Sequence, residues 1–316
     1  MSTLSIEADE YAAATTSAGW VDRSERGKLA LTGADAKEFL QGQVSNDVVA
    51  LTPGSGCYAA LLTPKGKMLG DLRILDTGEE LLLDTERVAL QELFNTIRRF
   101  SLGYDVQLHK RTVERGLVSL LGPDSDRIAA VAALPAAEYA HVAATLDGVQ
   151  LRAVRTDAGI DLICASDQTA QLTRALGGRG AEPISDATAE CIRIERGRPR
   201  YGIDLDDSVI PQEAGLNARA VSFQKGCYVG QETVARLFYR GKPNRQLRGL
   251  QLGGPAPVGS EVVSAERVVG RLSSVAASPR FGELGLALVR REAPPGSDVL
   301  VGDERVPAIV TELPFG

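Results

Sequence analysis

The densest run of reactive side chains is Lys225-Gly226-Cys227-Tyr228-Val229-Gly230-Gln231-Glu232-Thr233-Val234-Ala235-Arg236. A cysteine acts as nucleophile or metal ligand only as thiolate, and a nearby cation favours that form. Lys225, two residues from Cys227, reads as that cation. Gly226 and Gly230 permit tight backbone geometry around the cysteine. Gln231 and Glu232 add directional hydrogen bonds, and Arg236 adds a fixed charge. The same residues also fit a turn around a small buried cysteine, since free cysteine is among the most buried residue types.

Other chemistry is scarce. The only histidines are His109 and His141, one in an expected strand and one in an Ala-rich segment. Neither has the partners that base catalysis needs, so Ser-His-Asp and His-rich metal mechanisms are not expected. Reactivity falls to carboxylates, Lys, Arg, Tyr and Cys. The four cysteines, Cys57, Cys164, Cys191 and Cys227, form no C-x-x-C pair. That spacing predicts no resident zinc or cluster site, and dispersed cysteines suit a reducing cytoplasm. The formal net charge of −6 makes nucleic acid a poor direct partner. Residues 1–20 carry Glu7, Asp9 and Glu10 without a basic or apolar stretch, and read as neither signal nor transit peptide. No apolar run reaches the roughly 18 residues of a membrane span.

The elements that must position these groups read as a mixture of strands and short helices. Strands are expected at 28–31, 57–62, 68–75 and 81–83, with Thr63-Pro64-Lys65-Gly66 as a hairpin turn. Asp35 is placed to cap a short helix that turns Phe39 and Leu40 inward and that Ser45-Asn46-Asp47 ends. Leu90, Leu93, Phe94 and Ile97 recur at helical spacing, predicting a helix over 86–100. The middle repeats the theme: strands near Val106 and at 117–121, a helix over 125–134, a hairpin from Val149 to Cys164, and a helix over 167–176 capped by Gly177-Gly178. Short connections predict α+β layers rather than a parallel doubly wound sheet. Beyond residue 243 only short strands are expected, at 247–252, 261–264, 268–275, 284–289 and 308–311, as in a small β-barrel. The chain therefore divides into 1–243, two α+β lobes, and 244–316, a barrel.

The Cys227 segment resembles the K-G-C-Y-x-G-Q-E signature of the YgfZ-type folate-binding proteins, which include iron–sulfur assembly factors. The similarity continues through Phe39 to Gln43, Asn46-Asp47-Val48, Tyr58 to Leu62, Pro64 to Lys67, Asp71-Leu72, Arg193-Ile194-Glu195 and Leu313-Pro314-Phe315. Those proteins share their fold with the aminomethyltransferase of the glycine cleavage system. The resemblance implies a three-lobed molecule with tetrahydrofolate, or a one-carbon derivative of it, in a central channel. By position, Asp71 matches the transferase's aspartate at the reacting folate nitrogen, Glu195 its pterin-binding glutamate, and Tyr201 a family aromatic. It also implies Cys227 and Asp71 as the catalytic groups, and iron–sulfur client or assembly proteins as partners. An effect on tRNA modification would be indirect, through iron–sulfur enzymes. The chain would be an accessory factor rather than a stand-alone enzyme; the alternative is aminomethyl transfer to tetrahydrofolate. The transferase lacks the cysteine signature and commonly has Asp-Asp where this chain has Gly70-Asp71.

Read from the residues alone, both carboxylates have a plainer alternative. A carboxylate can accept two adjacent N–H donors of a pterin edge. Glu195 ends an expected helix opened by Ser185 and closed by Gly197 and Pro199, a rigid mount but also an ordinary solvated helix end. Asp71 interrupts an apolar strand and shares a face with Arg73, which equally describes a solvated sheet face.

Overall fold

The computed structural model describes residues 6–316. The first part of the expected leaderless segment, residues 1–5, lies outside the described residues.

The first lobe is a five-stranded antiparallel sheet in the order Gly56–Leu62, Met68–Asp76, Leu81–Thr85, Gly27–Thr32, Gln107–Lys110. Its leucine-rich strands bury both faces, so they read as continuous apolar runs rather than alternations. One face packs under the helices Ala36–Gln43 and Leu90–Phe100 through Phe39, Leu40, Leu93 and Ile97. Asp35 precedes the first of these helices, but its side chain accepts from the backbone N–H of Asp105 instead of capping it.

The second lobe is a six-stranded sheet, Glu182–Pro183, Gly19–Asp22, Arg115–Leu121, Gly159–Ala165, Val149–Arg155 and His141–Leu146. Its outer face is covered by the helices Ser125–Ala129 and Thr169–Gly178. The inner faces of the two sheets meet at Leu75, Leu82, Leu117, Val154 and Ile163. Six strands from Arg245–Leu252 to Val306–Thr311 close a barrel. The helix Asp186–Glu195 ties it to the rest through Ile192, Ile194, Leu284 and Leu286. Ser185 caps that helix at the backbone N–H of Thr188, and Gly197 follows its end at φ 62°.

Several expected elements are corrected. The helix placed over 125–134 stops at Ala129, because Ala130 adopts a left-handed conformation at φ 53°. Gly177 and Gly178 lie inside the helix they were expected to cap; the left-handed residue is Gly180. Alanine's helix propensity conceals the edge strand His141–Leu146. The helices Ala8–Thr16 and Gln231–Arg240 and the strand Asp298–Val301 are also additions to the expected elements.

Candidate functional site

Asp71 sits mid-strand in Met68–Asp76, facing the second sheet with Arg73 while Leu72 and Ile74 enter the helix-covered core. This face is not solvated: Asp71 is only 6% exposed and Arg73 9%. Asp71 Oδ2 accepts a 2.6 Å hydrogen bond from the hydroxyl of Tyr58 on the neighbouring strand. It has no ion-pair partner among the described residues. Burial pushes its carboxyl up to about 6; the Tyr58 hydroxyl opposes the rise and the nearby Glu86 adds to it.

Its neighbours are paired. Arg26 and Arg73 both bind Asp84, Arg73 also reaches Asp161 across the sheet interface, and Arg200 binds Glu86 at 2.9 Å. Burial alone would raise the Asp84 carboxyl, yet the two guanidiniums hold it at about 2. Arg193 bridges the inter-lobe helix to Asp204 at 2.7 Å. Rigid charge pairs thus surround one carboxylate that has been left uncompensated, a pattern associated with functional sites.

Asp71, Tyr58, Tyr139 and Tyr201 line a cavity of about 230 Å³ together with seven arginines, among them Arg23, Arg26, Arg198 and Arg219. Five carboxylates line it too, and Asp84 and Asp204 behind the wall pair with Arg26, Arg73 and Arg193, so cations and carboxylates balance around it. Tyr58 and Tyr139 stack at 6.4 Å, and the Arg219 guanidinium lies 5.5 Å above the Tyr58 ring while donating to the Tyr139 hydroxyl at 2.8 Å. Arg219 Nε is buried with no hydrogen-bond partner. Such an enclosure suits a planar ring against the tyrosines and anionic groups at the guanidinium edges.

Glu195 is not brought to Asp71. Its Oε1 accepts from Tyr11 at 2.8 Å, Ser278 at 2.5 Å and the Cys191 thiol at 3.5 Å. It lines a different cavity, of about 800 Å³, bounded by Tyr11, Phe281 and Phe315. The helix Asp186–Glu195 turns this face toward the N-terminal helix and barrel, so the carboxylate holds three elements together.

Cys227 is exposed, as the reactive reading requires, but Lys225 does not serve it. The Lys225 ammonium is buried and donates to the carbonyls of Gln41, Val44 and Asn46, pinning the loop to the first lobe. Burial lowers it to about 8. Tyr228 packs beneath it at 5.0 Å. Of the two glycines only Gly230 is required: at φ 86° it opens the helix Gln231–Arg240, and a Cβ there would meet the Thr63 carbonyl at 2.6 Å, whereas one on Gly226 would meet nothing. Glu232 and Arg236 are exposed on that helix.

Tyr58, Tyr139 and Arg219 join the site without having been expected there. Tyr58 could have been found, since it lies on the strand paired with that of Asp71 and shares its face. Tyr139 arrives from a loop and Arg219 from the short helix Asn217–Ala220, both distant in sequence, and nothing local marks them.

Residues 3–225 match the GCVT N-terminal domain, and residues 245–315 match the glycine cleavage T-protein C-terminal barrel domain. An aminomethyltransferase of Rubrobacter xylanophilus is 30% identical over 97% of this chain and 85% of its own length. One from Bacillus subtilis is 28% identical over 97% and 90%. The crystal structure of the glycine cleavage system aminomethyltransferase T from Bartonella henselae has the same fold, with a TM-score of 0.86 over 98% of this chain and 89% of that one at 22% identity. With an N-terminal match over most of its length and a closed barrel matching the remainder, the chain belongs to the glycine cleavage T-protein family.

Proposed function

We propose that this chain binds a reduced folate, tetrahydrofolate or a one-carbon derivative of it, with the ring system in the Asp71 cavity, and that it serves the assembly or repair of iron–sulfur enzymes through Cys227. The observation that carries the folate reading is the buried, unpaired Asp71 on the wall of an arginine-rich cavity in a T-protein fold. The residues fit the group. The volume of about 230 Å³ is below the roughly 300–1,000 Å³ of pockets that enclose a drug-sized ligand, so it takes a ring system with an acidic tail left at the rim. Tyr58 fixes the Asp71 carboxylate toward a ring nitrogen, and the rim arginines hold tail carboxylates. With its carboxyl at about 6, Asp71 can either hold or accept a proton near neutral pH. The folate, when bound, would carry or accept a one-carbon unit at a ring nitrogen.

The iron–sulfur role rests on the match of 225–232 to the K-G-C-Y-x-G-Q-E signature and on the exposure of Cys227. On this reading the partners are iron–sulfur client or assembly proteins, tRNA modification is affected only through them, and the chain acts in the cytoplasm. Among the described residues no helix is long and apolar enough to cross a membrane.

A second reading, aminomethyl transfer to tetrahydrofolate, is favoured by the names of the relatives. A deletion strain separates the two. Loss of iron–sulfur enzyme activity with glycine cleavage intact, restored by the wild type but not by Cys227→Ser, supports the assembly role. Loss of glycine cleavage alone supports the transferase.

A further inference from the structure

The loop after the helix Ala36–Gln43 joins the Asp71 cavity to the exposed thiol. Ser45 and Asn46 are bonded on one side to the strand Gly56–Leu62, which carries Tyr58. On the other side they are bonded to the segment 219–225, which runs from Arg219 to the Cys227 loop. The Asn46 amide spends both of its protons across this gap. Nδ2 donates to the Tyr58 carbonyl at 2.8 Å and to the Arg219 carbonyl at 3.1 Å. Its Oδ1 accepts from the backbone N–H of Asp47, and its carbonyl accepts from the Lys225 ammonium at 2.9 Å. One residue thus holds two residues of the cavity wall and the base of the thiol loop.

Ser45 extends the same seam. Its hydroxyl donates to the Ala220 carbonyl at 2.6 Å and accepts from the Ala60 N–H at 2.8 Å, and its carbonyl accepts from the Ser222 N–H at 2.9 Å. Apolar packing follows the bonds. Tyr58, Ala60 and Leu62 share one strand face, and they belong to the same cluster as Ala220, Val221 and Tyr228, the neighbour of Cys227. Cys227 therefore stands between two anchored residues, Lys225 and Tyr228. At the cavity end the seam is incomplete. Arg219 Nε is buried without a hydrogen-bond partner, and an acceptor on a bound ligand would satisfy it.

We infer that Asn46 is a positioning residue that couples the Asp71 cavity to Cys227: a ligand engaging Arg219 and Tyr58 holds the segment 219–225 in place, and the seam passes that restraint to the thiol loop. The inference rests on the folate reading above. Cys227 does not line the cavity, so the route runs through the chain, by restraint of a segment that is otherwise freer to move.

The test follows N-ethylmaleimide labelling at Cys227 by mass spectrometry on the full chain. It compares the free protein with protein saturated in tetrahydrofolate, kept reduced by ascorbate rather than a thiol. In the wild type the ligand should slow labelling about fivefold, the lower end of usual coupling between sites. Asn46→Ala should bind tetrahydrofolate more weakly, and at saturation its labelling should not respond. Lys225→Met cuts only the thiol end of the seam, so it should bind tetrahydrofolate like the wild type and yet show no response. It decides alone if Asn46→Ala does not fold. Glu195→Ala loses three hydrogen bonds outside the seam and should keep the slowing, which separates positioning from stability. Labelling that bound tetrahydrofolate does not slow in the wild type overturns the inference and leaves the folate reading standing, because calorimetry reads binding independently. A slowing that survives in Lys225→Met or in folded Asn46→Ala also overturns it, since the ligand would then shield the thiol directly. Loss of the response in Glu195→Ala does the same, by making the effect one of stability alone. Absence of binding by the wild type overturns both readings.

Discussion

Asp71→Asn should leave the protein more stable at neutral pH while removing the group on which function depends. The native carboxyl is pushed up to about 6 by burial, against about 3.9 in an unfolded chain. Between those values the native state holds a proton that the unfolded state has released. Wild-type stability therefore falls as pH rises through about 4 to 6, then stays level once both states are ionised. A rise of that size in a carboxyl's pKa corresponds to about 3 kcal/mol. Asparagine fills the same space, still accepts from Tyr58, and does not titrate. His141 drifts the other way, because burial lowers it to about 4, but it does so in both proteins and cancels in their difference. Urea unfolding of the two proteins from below pH 4 to above pH 7 supplies that difference. The advantage of Asp71→Asn should grow by about 3 kcal/mol across the window. A difference that stays constant with pH would refute the reasoning, since it would mean that burial of Asp71 carries no cost.

Cys227 should be alkylated first of the four cysteines, because Cys164 and Cys191 are buried and burial pushes the half-buried Cys57 up to about 12; mass spectrometry of timed labelling checks the order. Cys227→Ser should unfold within about 0.5 kcal/mol of the wild type, as an exposed site does. Lys225→Met should cost about 2–4 kcal/mol in denaturant unfolding by leaving three carbonyls without their donor; a neutral result would show that the ammonium does not pin the loop. Glu195→Ala should cost a similar amount by releasing Tyr11, Ser278 and Cys191, yet leave tetrahydrofolate affinity unchanged. A weakened affinity with stability intact would return Glu195 to the binding site.

The barrel was readable because its strands alternate and glycine or proline separates them; only Asp298–Val301, four residues between turns, escaped. The resemblance singled out Asp71, but its environment was not readable. A strand carrying Asp71 and Arg73 on one face looks solvated until a second sheet covers it, and that sheet comes from residues far along the chain. The Glu195 helix was placed with its cap and stop, whereas the direction of its last side chain depended on how the helix docks on the barrel. Lys225 shows the same limit. Nearness in sequence to Cys227 suggested an electrostatic partner, while three carbonyls of the first lobe claimed the ammonium.

Calorimetric titration of the full chain with tetrahydrofolate tests the central claim most directly. Saturable binding of one ligand per chain is expected, weakened at least about tenfold in Asp71→Ala, the cost of leaving ring donors unpaired. It should also weaken in Arg219→Met, which strips a guanidinium from the cavity wall. Absence of binding by the wild type, or affinity unchanged in both variants, would contradict a folate site at Asp71.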